Sequence, residues 1–295
     1  MNYDERLREY IGKMTDFCRD PGKYRLDPFR IFGPLYYVGD QKVCLHLVDT
    51  GDGLVLFDSG YPNANHLLWD SIWRLGFDPK YVRLIIHTHG HYDHFGASNE
   101  FRLQYGTELA MSRVDAEWMK KDPRFSLREW APSTPEAYDP PEFQLLLEDG
   151  QDLTIGNLTV HCRLVPGHTP GVMAFFFDVT EDGKTLRAGL LGGVGLAAIH
   201  RYHLEEFGLP LSLPFDMLKA VRALHDEHVD IHLGNHPANN HTLEKRAKQL
   251  ASGGNPFVTD SDWEGFLNDL EANILNVIEE EKFEEAYNSP VRLRL

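Results

Sequence analysis

Between Thr88 and Gly96 the chain sets out His89, His91, Asp93 and His94, four strong ligand types within six positions. Neutral imidazoles and a carboxylate are donors that zinc accepts readily, and a catalytic zinc keeps one position open for water. A solvated histidine-rich loop is the plain alternative in a chain with 15 histidines. The spacing argues against it, because an aspartate set among histidines at ligand intervals is hard to obtain without a metal. Gly90 and Gly96 let the backbone turn tightly or approach an ion closely. The cluster indicates a metal and leaves the chemistry open.

Two more histidines sit where a strand ends in a stiff turn. His168 lies between Pro166-Gly167 and Pro170-Gly171, and His236 lies between Asn235 and Pro237. Taken singly, each reads as a surface histidine. Beside a cluster short of donors they become partners, because a metal site draws ligands from distant loops.

The elements that must position these residues can be read from periodicity. The apolar run Val82–Ile86 is a buried strand that delivers the cluster. Before it, strands are expected at 29–32, 35–38, 43–49 and 54–58, then a helix over 63–75 closed by Gly76. After it come a helix at about 97–105, a strand at 109–111 and a helix from the Ser112 cap to about Lys121. Residues 123–141, rich in Pro, Ser and acids, form a loop too long to be idle, expected as a cover over the site or a surface excursion. Strands follow at 142–147, 153–155, 158–165, 172–179 and 185–191. Helices are expected at 215–227 and 243–250, with a strand at 229–234 between them. The pattern Ser261-x-x-Glu264 has the form of a capping box opening a helix through about Tyr287. At the other end, Leu7, Tyr10, Ile11, Met14 and Phe17 recur at helical spacing within residues 1–20.

The 295 residues, 42% of them hydrophobic, can bury a sizeable core without help from a metal. A net charge of -16 excludes the basic footprint that a nucleic-acid partner needs. No segment is apolar for the roughly 18 residues that span a bilayer. The charged first 20 residues are no secretory signal. Three cysteines, Cys18, Cys44 and Cys162, read as reduced, packed thiols. A cytoplasmic location is therefore expected, or a periplasmic one if a leader has been trimmed.

The order His89-x-His91-x-Asp93-His94, Pro-Gly-His168-Thr-Pro-Gly and Asn-His236-Pro, after strands ending in Phe57-Asp58-Ser59-Gly60, resembles the metallo-β-lactamase superfamily over roughly residues 27–240. The likeness is strongest to the third metallo-β-lactamase subclass and its uncharacterised relatives. It implies an α+β fold, a four-layer αββα sandwich. That would be a single domain over 1–295, with the helices 1–20 and about 261–287 as appendages. It further implies two Zn²⁺ per chain, the first on His89, His91 and His168, the second on Asp93, His94 and His236. Asp58 and Thr88 would then orient ligating histidines, and Asp93 would orient a metal-bridging hydroxide for attack on a carbonyl. One departure stands out. Many superfamily members place a bridging aspartate, or a cysteine or serine, after a later strand, where this chain reads Leu191-Gly192-Gly193-Val194-Gly195. That disfavours the thioesterase and lactonase families and removes hydroxyls that would help hold a β-lactam carboxylate. His200 and His203 lie near enough in sequence to touch substrate.

Three readings follow. The first is a dinuclear-zinc hydrolase of β-lactamase type acting on an amide. The second is a cytosolic metallo-hydrolase of a lactone, thioester or phosphoester with little β-lactamase activity. The third, a non-enzymatic or redox module, fits poorly, since a structural zinc would be closed by thiolates. In the first two the substrate is a small molecule, expected to be anionic because five imidazoles and one carboxylate undercompensate two dications.

Overall fold

Met173 to Phe177 are all buried, with Met173, Phe175 and Phe177 facing one core and Ala174 and Phe176 another. A strand apolar on both faces must lie between layers. The computed structural model, which describes residues 3–127 and 140–283, shows two such sheets. The first has seven strands in chain order: β1 (Phe29–Phe32), β2 (Leu35–Tyr37), β3 (His46–Asp49), β4 (Leu54–Phe57), β5 (Val82–Ile86), β6 (Glu108–Ser112) and β7 (Leu145–Leu147). The second has β8 (Asp152–Ile155), β9 (Leu158–Leu164), β10 (Met173–Glu181), β11 (Lys184–Leu191) and β12 (Ile231–Leu233), ordered β12-β11-β10-β9-β8.

Three cores separate four layers. Helices α1 (Tyr3–Arg19), α2 (Asn65–Arg74), α3 (Ser98–Tyr105) and α4 (Arg113–Lys121) pack Phe17, Leu68, Phe101 and Met119 onto the outer face of the first sheet. Between the sheets, Val55, Phe57 and Ile86 meet Cys162, Phe175 and Phe177, with the Phe57 and Phe177 rings stacked at 5.0 Å. Helices α5 (Arg201–Phe207), α6 (Leu213–Ala223) and α8 (Asp262–Glu280) cover the second sheet through Leu204, Met217 and Trp263. A shorter helix, α7 (Thr242–Ser252), follows the His236 loop. This is the αββα sandwich expected from the sequence. The cysteines are free. Among the described residues no helix is long and apolar enough to cross a membrane.

Topology brings the chemistry together. β4 and β5 are parallel, pairing Phe57 with Ile86, and β11 and β12 are parallel, pairing Leu190 with Leu233. The turns that leave these strands therefore emerge at one edge of the sandwich. Two backbone hydrogen bonds tie the sheets there, from Met173 N to Thr88 O (3.0 Å) and from Cys44 N to Asn235 O (2.9 Å).

Local departures have physical causes. The strand expected from Val43 begins only at His46, because Cys44 bonds the Asn235 loop of the other sheet instead. The strand expected from Glu142 begins at Leu145, and the Gln144 side chain takes the Leu109 N–H that a longer strand would have taken. The 261–264 capping box does not form: Ser261 is helical, its hydroxyl lies 3.1 Å from Thr259 Oγ1, and Glu264 pairs with His225. Helix α5 and the turn before it, Leu196–Ile199, were not expected. Of the loop at 123–141, Pro123–Ser126 forms a 3₁₀ turn; the expected cover lies mostly outside the described residues.

One buried turn gives a test. Asp40 accepts hydrogen bonds from Lys42 N (2.6 Å) and Val43 N (2.9 Å) and fixes the turn that carries the Lys42 carbonyl to the site edge. Burial pushes its carboxyl up to about 6, against the pull of those two N–H groups. A carboxyl that binds its proton more tightly when folded contributes stability that is complete below its unfolded pKa of about 4 and is lost as pH rises through about 6. Asp40→Asn removes that dependence. Its stability relative to the native chain should improve by about 2–3 kcal/mol between pH 4 and pH 7, read by urea denaturation; parallel curves would contradict the assignment.

Candidate metal centre

The site is built outward from Asp58, which ends β4 in the left-handed region, at φ 58°. Among non-glycine residues Asp and Asn tolerate that conformation best. The turn aims a carboxylate that is 1% exposed at the start of the histidine loop. Its Oδ1 accepts Thr88 N–H (2.7 Å), and its Oδ2 accepts the Thr88 hydroxyl (2.8 Å) and His94 Nδ1–H (2.7 Å). With its proton given to Asp58, the Thr88 oxygen is left to accept His89 Nδ1–H at 3.0 Å. One carboxylate thus fixes Nδ1 as the donor of two imidazoles and aims each Nε2 into the site.

The two distant histidines are set the same way by backbone carbonyls. His168 Nδ1–H donates to Gly195 O (2.7 Å) and His236 Nδ1–H to Lys42 O (2.7 Å). The segment without a ligand side chain therefore acts through its backbone. A Cβ at Gly193 would lie 2.1 Å from His168 Cδ2, and one at Gly195 2.8 Å from Cε1. Only glycine lets this strand end cradle the ring.

The six expected residues gather into two adjoining groups, His89, His91 and His168, and Asp93, His94 and His236, with ligand atoms in each within 4.8 Å of one another. His89 Nε2 is 3.1 Å from His91 Nδ1, and Asp93 Oδ2 is 3.4 Å from His94 Nε2 and 3.5 Å from His236 Nε2. Donors about 2.0–2.1 Å from a shared zinc, at tetrahedral corners, stand roughly 3.3–3.4 Å apart. His89 and His94 link the groups, with ring centroids 4.3 Å apart.

The electrostatics point the same way. Burial holds His89 and His91 well below the usual imidazole range, pushes His168 down to about 4, and lowers His236. These rings are neutral donors. Burial would also lower His94, but the carboxylates of Asp93 and Asp58 outweigh it and lift the ring to about 10. Burial would raise Asp93, yet the neighbouring His94, foremost, keeps its carboxyl well below the ordinary range. His94 Nε2 is buried with no hydrogen-bond partner beyond its 3.4 Å approach to Asp93. A cation in that position satisfies both groups, so the donors fit a metal.

A cavity of about 370 Å³ opens over the groups. His203 lines it, as the sequence suggested, and burial followed by the nearby His168 pushes that ring down to about 3. His200 does not: its Nδ1 pairs with Glu281 at 2.7 Å, which ties α5 to the end of α8. Tyr10 and Met14 of the first helix also line the cavity. Their helical spacing marks them as one face of a helix, and nothing in it separates a core position from a cavity wall.

Residues 44–189 match the family described as Metallo-beta-lactamase superfamily. A protein of Burkholderia pseudomallei named as a probable metallo-hydrolase is 30% identical over 155 residues, 43% of this chain and 47% of that one. The match thus spans about half of that relative. Among solved structures, the metallo-beta-lactamase FEZ-1 of Legionella gormanii superposes with a TM-score of 0.77 at 23% identity, covering 88% of this chain and 98% of its own. BJP-1 of Bradyrhizobium japonicum, a subclass B3 metallo-beta-lactamase, gives 0.75 at 21%, covering 90% and 97%. Residues 44–189 thus form a metallo-beta-lactamase superfamily domain, and the chain has the fold seen in subclass B3 enzymes.

Asp58→Asn suits the left-handed backbone but replaces one acceptor oxygen with a donor. Metal affinity should fall about 10–100-fold, measured by competition with a chromophoric chelator. Unchanged affinity would show that Asp58 does not orient the ligands.

Proposed function

We propose that the protein is a metal-dependent hydrolase that cleaves the carbonyl bond of a small amide or ester, in the manner of a dinuclear-zinc β-lactamase. What carries this reading is the convergence of three separate loops on two adjoining donor groups beneath one cavity. His89, His91 and His168 would hold one ion, and Asp93, His94 and His236 the other. When bound, two zinc ions supply Lewis acidity, a water acidified to near neutrality, and a net positive field that draws an anionic substrate group.

The chain's own residues do the rest. Asp93, ionised and lining the cavity, is placed to orient a water for attack. His203, neutral on the cavity wall, offers a hydrogen bond to substrate. Met14, Leu127 and Ala198 give the cavity an apolar wall that suits a hydrocarbon or ring portion and excludes bulk water.

A second reading is favoured by one observation. Residues 192–195 offer no hydroxyl, and Gly192 N and Gly195 O are already bonded to Met173 O and His168. A β-lactam carboxylate therefore finds no side-chain donor there, which suits a lactone, thioester or phosphoester better.

A substrate panel separates the two: a chromogenic cephalosporin, a lactone, a thioester and a phosphodiester, each with and without chelator. Chelator-sensitive hydrolysis of at least one substrate is expected. Cephalosporin cleavage supports the first reading, and a faster ester or phosphoester with little cephalosporin cleavage supports the second. Asp93→Asn should lower kcat/KM by about 10²–10⁴-fold. Full activity after complete metal removal would overturn both readings.

A further inference from the structure

Asp115 is fully buried, with no exposed surface, and belongs to neither donor group. It stands at the third position of α4, after the Ser112 cap, where an acidic residue commonly reaches back to the capping residue's own N–H. Here it reaches outward instead. Oδ2 accepts Gly90 N–H (2.8 Å) and the Thr169 hydroxyl (2.6 Å), and Oδ1 accepts Gly171 N–H (2.7 Å). Gly90 lies between His89 and His91, while Thr169 and Gly171 follow His168. The three donors thus come from the two loops that carry the three-histidine group.

Their approach is close. A Cβ at Gly171 would lie 2.5 Å from Asp115 Oδ1 and 2.3 Å from Ser112 Oγ, so that loop rests directly on the helix start. Burying a carboxylate is costly, and the influences on Asp115 include no cation: burial pushes it up to about 6, opposed only by these three hydrogen bonds. Packing alone would be met by an apolar side chain at this position. What a carboxylate adds is acceptors on two oxygens at once, a bracket between two loops that otherwise meet through the imidazoles and the Met173 N to Thr88 O bond.

We propose that Asp115 is a positioning residue that holds the His89–His91 turn in register with the His168 loop, and so sets the metal affinity of the three-histidine group. The proposal rests on that group being a metal site. Asp58 orients the rings of His94 and, through Thr88, of His89; Asp115 fixes how far apart the loops stand. Removing the bracket should let His168 drift from His89 and His91 while leaving Asp93, His94 and His236 as they are.

The test is cobalt(II) titration of the full chain, followed by absorption and by chelator competition, for the native protein, Asp115→Asn and Thr169→Val. Thr169→Val removes one of the three bonds and keeps the carboxylate, so it carries the comparison if Asp115→Asn fails to fold. Two ions are expected for the native chain, and in either variant one of them weakened about 10–100-fold while the other moves less than about threefold. In a His168→Ala background, Asp115→Asn should not weaken the remaining ion further. Unchanged affinities, or equal weakening of both ions, would show a merely structural role and overturn the proposal. A native chain that binds no cobalt would instead overturn the metal reading beneath it.

Discussion

The site depends on a one-sided arrangement of imidazoles. Four of the five carry Nδ1–H to an acceptor behind the ring: the Thr88 hydroxyl for His89, Asp58 for His94, Gly195 O for His168 and Lys42 O for His236. Each ring then turns its Nε2, the one nitrogen left to meet a cation, toward shared space. An imidazole without such an acceptor could rotate or change tautomer, and a cation would have to organise it at binding. Here the organisation is part of the folded chain.

That arrangement comes from the sandwich. The acceptors and ligands leave β2, β4, β5, β9, β11 and β12, and the parallel pairs β4/β5 and β11/β12 make the ends of those four strands coincide at one edge. Each sheet supplies both ligands and acceptors, and backbone bonds such as Met173 N to Thr88 O lock the sheets at the place where the ligands meet. The rigidity of the central aromatic core, with Phe57 one residue before Asp58, thus extends into the site. The first helix adds Tyr10 and Met14 to the cavity, so a segment at the far end of the sequence shapes access to the ligands.

The candidate ligands were legible because metal binding restricts residue types severely: only His and Asp at tight intervals, with rigid Pro-Gly turns around His168, produce that pattern. The layers were legible because strands buried on both faces leave apolar runs such as Met173–Phe177. The supporting contacts were not. Gly195 and Lys42 act through carbonyls, which every residue type carries. Asp115 was indistinguishable from an ordinary helix-start carboxylate, because its partners lie 25, 54 and 56 residues away. Ser261 and Glu264 matched a capping pattern, yet the nearby Thr259 and His225 outcompeted the local bonds. His200 and His203 looked equivalent in sequence; the turn into α5 sends one to Glu281 and the other to the cavity.

The central claim is that two adjoining donor groups each hold one ion. Crystals grown with zinc, with anomalous scattering recorded on both sides of its absorption edge, test this most directly. The account predicts two neighbouring peaks, one against His89, His91 and His168 and the other against Asp93, His94 and His236. A single peak, or zinc bound elsewhere with these imidazoles bonded only to one another, would contradict it.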